Sequence, residues 1–292
     1  MAHGHGGRGR FPPFPCPDHP SPFMGYTKEE SVEKVIVHDL PTHDTIEILG
    51  VNDGHIGDEK TDETAFKGFI KHIAEAPNRY WVYNGDNINN AIKSSVSNTY
   101  NERYSPAQQK EILIGMLRPI ADKCLAFVPG NHEARSGKET DCHLVWDIAC
   151  RLVGDDMATK LYRENEAVIK VRFGSKANNK PVAYIGLINH GFGGGSLPGS
   201  AMNGMYKYAI AFNDVDFTLS GHVHKGILSG KFARRVIDPR NDLITLRDFC
   251  VLINGAWADY GGYASRKGFP PGTKGAGRVI LHNYTKRMNV LI

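Results

Sequence analysis

Five times along this chain a hydrophobic stretch breaks off into a short polar turn carrying Asp, Asn or His. Thr45 to Val51 runs into Asp53 and His55, and Arg79 to Tyr83 runs into Asp86. Cys124 to Val128 runs into Asn131 and His132, Val182 to Asn189 into His190, and Asp216 to Ser220 into His222 and His224. Each stretch is rich in β-branched and aromatic residues and reads as a strand. Turn chemistry explains the Asn, Asp and Gly in these breaks, but a turn has no use for His. One such break is common; five point to strand ends gathered at one sheet edge, where open α/β sheets carry their sites.

The remaining segments fit around those strands. Lys34 to Leu40 reads as a first strand, with Pro41 to Asp44 as the turn after it. Thr64 to Ala76 has helical periodicity, with Phe66, Phe69, Ile70 and Ile73 on one face. Pro106 to Ile120 reads as a helix with Ser105 as N-cap and Pro106 in its first turn. Cys142 to Val153 is a third predicted helix, with His143 in its packed core. Ala167 to Phe173 and Val182 to Asn189 form a strand pair across a polar turn. Gly226 to Phe232, Leu243 to Ile253 and Arg278 to Tyr284 are further strands. Residues 1–31 are rich in Gly, Pro and His and are expected to be a disordered or extended arm, with a single domain over 32–292.

Composition removes several function classes. No apolar run approaches the ~20 residues needed to span a bilayer, and the N-terminus lacks a continuous apolar region of the secretory kind. Five cysteines with no Cys-x-x-Cys pair argue against a disulfide framework or a zinc ribbon. A cytoplasmic location without membrane attachment is therefore expected. From Gly221 onward there are twelve Lys and Arg against four Asp and no Glu, a net +8, which leaves −4 for the rest of the +4 chain. That basic portion suits either a phosphate-rich partner or a solvated surface.

The donors at the five breaks suit metal chemistry. Carboxylate, imidazole and amide oxygen together fit Zn, Mn or Fe(II) better than Ca or Mg alone. Asp53, His55, Asp86, Asn131, His190, His222 and His224 are seven donors, more than one tetrahedral ion uses. Two ions sharing a carboxylate fit that number and would clamp both oxygens of an in-line phosphoryl displacement.

The order Asp-x-His, Gly-Asp, Gly-Asn-His-Glu, His, Gly-His-x-His, running from Asp53 to His224, resembles the calcineurin-like metallophosphoesterase superfamily. The resemblance implies a two-sheet β-sandwich flanked by helices, an α/β fold, holding two divalent ions, with Mn first for activity and Fe or Zn as alternatives. It implies that Asp53, His55 and His224 hold one ion, that Asn131, His190 and His222 hold the other, and that Asp86 bridges them. His132 would act on the leaving group as a general acid or stabilise developing charge, and a hydroxide held by the metals would attack the phosphate ester. Where the protein Ser/Thr phosphatases of that superfamily have Gly-Asp-x-Val-Asp-Arg-Gly, this chain has Gly85-Asp86-Asn87-Ile88-Asn89-Asn90, so the Asp that would orient His132 is Asn89 and the phosphate-binding Arg is Asn90. Pro129 ahead of the Gly-Asn-His-Glu looks more like the phosphodiesterase and SbcD-type nuclease branches. The expected substrate is a phosphate ester, foremost a diester, with a nucleotide or DNA among the candidates; a metal-binding scaffold without catalysis is the alternative of another class.

Other residues are read more plainly. Glu133 is expected to make a structural hydrogen bond rather than bind metal. Arg135 and Lys138 suit either a substrate phosphate or a solvated loop. Tyr100, Tyr104 and the aromatics from Trp257 to Tyr263 are expected to be packing or surface aromatics rather than to stack on bases.

Overall fold

The computed structural model describes residues 34–93, 95, 99–175, 180–193, 195, 197–261, 265, 268 and 270–292. The chain divides into two compact units, Met1–Lys34 and Val35–Ile292. The N-terminal arm of the sequence reading, and Tyr263, lie outside the described residues.

Two mixed sheets carry the second unit. The first joins β2 (Thr45–Val51), β3 (Arg79–Tyr83) and β4 (Cys124–Phe127) in parallel. It is completed by the antiparallel β10 (Arg278–His282) and β11 (Met288–Leu291), in the order β11-β10-β2-β3-β4. The second sheet has the order β1-β5-β6-β7-β9-β8. It contains β1 (Ile36–Asp39), β5 (Glu166–Phe173), β6 (Val182–Asn189), β7 (Phe217–Ser220), β8 (Leu228–Asp238) and β9 (Leu243–Ile253). In this sheet β6, β7 and β9 run parallel. The predicted strand pair β5 and β6 is antiparallel, as its turn requires.

One continuous core includes Ile48, Trp81 and Phe127 from one sheet and Val171, Phe217 and Leu252 from the other. This is the expected α/β sandwich: strands buried on both faces, with helices covering the outsides. Helix α1 (Glu63–Ala74) starts where the Asp62 side chain accepts from Ala65 N. It buries Phe66, Ile70 and Ile73, a contribution of about 1.5–3 kcal/mol per side chain. Helix α2 (Pro106–Leu117) opens with the predicted Ser105 cap, Gln108 reaching back to Ser105 N at 3.0 Å.

Among the described residues, three α-helices and one strand escape the sequence reading: α3 (Asn131–Thr140), α5 (Asp155–Leu161), α6 (Pro198–Ile210) and strand β11. Helix α3 is polar apart from Ala134 and Gly137 and buries only Glu133, so no apolar stripe announces it. The third predicted helix is α4 (Leu144–Val153), and His143 is its half-exposed N-cap residue, 3.5 Å from Asp141, rather than part of a packed core. No helix among the described residues is long and apolar enough to cross a membrane.

The topology brings the ends of the parallel strands β2, β3 and β4 to face those of β6, β7 and β9 across the sandwich. All five breaks of the sequence therefore meet at one end of the molecule.

Candidate metal centre

The turns after β2 and β3 are zipped together: Asp53 N donates to Gly85 O and His55 N to Asp86 O, both at 3.0 Å. Asp53, His55, Asp86, His222 and His224 all lie in the left-handed region, with φ from 42° to 72°. Each such residue costs on the order of 1–3 kcal/mol and persists only where its surroundings over-determine it. Here the surroundings are close contacts that glycine permits. A Cβ on Gly130 would overlap the Asp86 carboxylate, and one on Gly221 would overlap that of Asp53.

The two buried carboxylates are held alike. Asp53 Oδ2 accepts from Asn52 Nδ2 at 2.5 Å and from His222 N at 2.8 Å. Asp86 Oδ1 accepts from His132 N at 2.8 Å. The second oxygen of each faces imidazoles: Asp53 Oδ1 lies 2.9 Å from His224 Nε2, and Asp86 Oδ2 lies 3.0 Å from His190 Nε2.

Three interlocking groups result. Asp53, His55 and His224 bring their ligand atoms within 4.8 Å of one another, as do His55, Asp86 and His132, and Asp86, His190 and His222. Each group could hold a metal ion, and Asp86 belongs to two of them. Asn131, the first residue of α3 rather than a turn residue, turns its Oδ1 to 3.1 Å from His190 Nε2. His55 Nε2 and His224 Nε2 are 3.1 Å apart, and His190 Nε2 and His222 Nδ1 3.2 Å. Paired imidazole nitrogens at that separation can share one proton at most. Cations among them and the carboxylates fit the donors, and the nitrogen–oxygen mix is that of a borderline transition metal.

No family model matches the sequence, and no curated protein matches it at a significant level. Solved structures do. GAP50, the anchor in the inner membrane complex of Plasmodium, matches at 14% identity and a TM-score of 0.40, over 85% of this chain and 84% of that one. The nuclease MPE of Pseudomonas putida matches at 14% identity and a TM-score of 0.29, over 84% of this chain and 87% of that one. A protein of unknown function from Aquifex aeolicus matches at 13% identity and a TM-score of 0.29, over 61% and 80%. At such TM-scores none of them bears on the chemistry of this site.

The electrostatics follow from burying charge in a ring of imidazoles. Burial pushes the Asp86 carboxyl up, but the His190 and His132 imidazoles outweigh it and hold the group ionised well below the usual range. Asp53 is held low in the same way, by His224 against its own burial. Burial opposes a proton on His190, yet the Asp86 carboxylate overrides it and raises the imidazole to about 10. His132 goes the other way, down to about 3, because burial and the neighbouring His55 outweigh Asp86. The Nδ1 of His132 sits 2.7 Å from Asn89 O, so the neutral ring donates there and turns a lone pair at Nε2 toward the centre.

Several further residues support the centre. Glu133 accepts from Tyr83 Oη, Asp86 N, Asn87 N and Gly130 N at 2.7–3.1 Å, the structural role expected of it, but with four partners. Asn52 and Asn254 brace one another beneath Asp53, with Asn254 Nδ2 donating to Asn52 Oδ1 at 2.8 Å. Trp257 packs against Phe66 and Phe69, and Tyr104 packs on the core.

Several basic residues of the C-terminal portion have partners within the protein. Arg234 donates to Phe212 O, Asn213 O and Val215 O and lies over Phe249. Lys231, Arg247, Lys274, Arg278 and Lys286 pair with carboxylates.

Proposed function

We propose that this protein is a dinuclear-metal phosphoesterase acting on phosphodiesters. The observation that carries the reading is the set of three interlocking donor groups at the ends of five strands, with Asp86 common to two. In it Asp53, His55 and His224 would hold one ion, Asn131, His190 and His222 would hold the other, and Asp86 would serve both. When bound, two such ions supply Lewis acidity toward a phosphoryl oxygen and a nucleophile from water at neutral pH. Manganese is the first choice for activity, with Fe(II) or Zn behind it.

The chain's own groups then act as follows. Asp53 and Asp86, each with one oxygen tied to a backbone N–H, keep the other aimed inward without reorganisation. His132 presents Nε2 to the same space and acts on the leaving oxygen, as a proton donor once the anionic phosphodiester raises its pKa or as a stabiliser of charge. Arg135, whose Nη1 donates to Asn89 O at 3.3 Å beside His132, offers a fixed positive charge to a non-bridging oxygen.

A diesterase of small or nucleotide substrates is preferred over an SbcD-type nuclease, because Arg234, Lys231, Arg247, Lys274, Arg278 and Lys286 of the basic C-terminal portion already have partners within the protein. The four described cysteines, all free, fit the cytoplasmic setting expected. The test is an activity panel under Mn²⁺ with aryl monoester, aryl diester, cyclic nucleotides and DNA, alongside metal-free protein. Aryl-diester turnover that requires Mn²⁺ supports the reading. Dominant DNA cleavage would move it to the nuclease, and metal binding with no turnover on any substrate would leave a scaffold.

A further inference from the structure

The side of His55 that faces away from the centre is wired to an acid that the sequence does not single out. His55 Nδ1 lies 3.4 Å from Asn89 Oδ1, a long contact, while its Nε2 faces His224 and Asp53. The Asn89 amide Nδ2 lies 2.5 Å from Glu102 Oε1. Glu102 Oε2 in turn accepts from Gln109 Nε2 at 2.8 Å. Gln109 is fully buried and its orientation is fixed: Nε2 also donates to Tyr104 O, and Oε1 accepts from Asn90 N, both at 2.8 Å.

An ionised carboxylate only accepts hydrogen bonds, and an amide has one accepting and one donating end. Glu102 therefore draws the NH₂ of Asn89 toward itself and turns the Asn89 carbonyl toward His55. A carbonyl at Nδ1 requires a proton there, which leaves Nε2 as the lone-pair nitrogen. Asn89 is 2% exposed, so water has little room to substitute for this wiring.

We propose that Glu102 is a positioning residue that sets the His55 tautomer through the Asn89 amide and so prepares His55 to bind metal through Nε2. This rests on the metal-centre reading given above, and it assigns to Glu102 the negative charge that an Asp at position 89 would otherwise bring.

Glu102→Gln tests it with almost no change of shape. Gln109 still donates to position 102, so the new carboxamide turns its oxygen to Gln109 and its NH₂ to Asn89. The Asn89 amide then flips and offers NH₂ to His55, whose proton must move to Nε2. Nitrogen-15 imidazole shifts of metal-free protein above pH about 10, past the value to which His190 is raised, are expected to report Nδ1–H on His55 in the parent and Nε2–H in Glu102→Gln. Calorimetric titration with Mn²⁺ is expected to show one site weakened about 10–100-fold, the usual cost of losing an outer partner of a metal-binding His.

The reciprocal pair Asn89→Asp/Glu102→Gln exchanges the acid and the amide. It is expected to restore Nδ1–H and most of the affinity, whereas Asn89→Asp alone sets two carboxylates against each other and does not. A His55 that keeps Nδ1–H in Glu102→Gln, or a double variant no better than the single one, overturns the proposal. Absence of Mn²⁺ binding in the parent protein would instead sink the metal-centre reading, while the tautomer shifts would still decide the role of Glu102.

Discussion

Removing the carboxylate of Glu133 tests how the protein holds its strained turns. The side chain is 2% exposed and accepts from four donors, two at each oxygen. Two of those donors, Asp86 N and Asn87 N, belong to the turn that presents Asp86 in its left-handed conformation. In Glu133→Ala all four donors lose their acceptor. At about 1–3 kcal/mol for each buried unsatisfied group the loss reaches ~4–12 kcal/mol, less whatever an entering water restores. That is comparable to the whole ~5–15 kcal/mol by which a domain is stable.

Glu133→Gln is a much smaller change, and the geometry says which way its amide points. With nitrogen at the Oε2 position, Asp86 N and Gly130 N would both be orphaned. With nitrogen at the Oε1 position only Asn87 N is orphaned, because the Tyr83 hydroxyl can rotate from donor to acceptor. The expected cost is about 1–3 kcal/mol for that one group. Relief of the buried charge and of its repulsion from Asp86, both of which raise the Glu133 carboxyl, offsets part of it. Urea denaturation of metal-free protein measures both variants. Alanine within about 1 kcal/mol of the parent, or glutamine worse than alanine, would refute the assignment of Glu133 as the brace of the Asp86 turn.

Asp86→Ala is expected to lose more bound metal per chain than His55→Ala, because a shared carboxylate offsets the repulsion of two cations; elemental analysis showing full dinuclear occupancy in Asp86→Ala would remove the bridging role. Metal binding is expected to release protons. His190, raised to about 10, is protonated at neutral pH and must give up that proton, so Mn²⁺ affinity climbs with pH up to about 10, and calorimetry in buffers of different ionisation enthalpy reads the release. The same shift gives the sign for the metal-free fold: the His190 proton stabilises it fully below about 6.5 and the contribution is lost as pH rises through about 10, so metal-free melting temperature falls over that window. His132→Ala is expected to cost a larger factor on a diester with an alkoxide leaving group than on a nitrophenyl ester, within the ~10²–10⁴ typical of general-acid loss, with metal content unchanged; equal losses on both would leave only a positioning role.

What the sequence alone determined was local. Alternating and continuous apolar runs marked the strands, Ser105 and Pro106 marked the start of α2, and His in turns that have no use for it drew attention to the seven candidate donors and His132. These are properties of a few neighbouring residues, so they are visible without a fold. Only the tertiary structure decided what those residues touch. Helix α3 lacks an apolar stripe because its one buried side chain is a glutamate, and that glutamate finds its partners 46 to 50 residues upstream. Arg234 reads as a free cation in a basic stretch, yet its guanidinium is spent on carbonyls about twenty residues away. Asn89 reads as the loss of an acid, and Glu102 behind it becomes visible only once the loop after β3 folds back. Hydrogen-bond partners, the direction of an amide and the tautomer of an imidazole depend on groups far apart in sequence, and packing two sheets together is what brings them within reach.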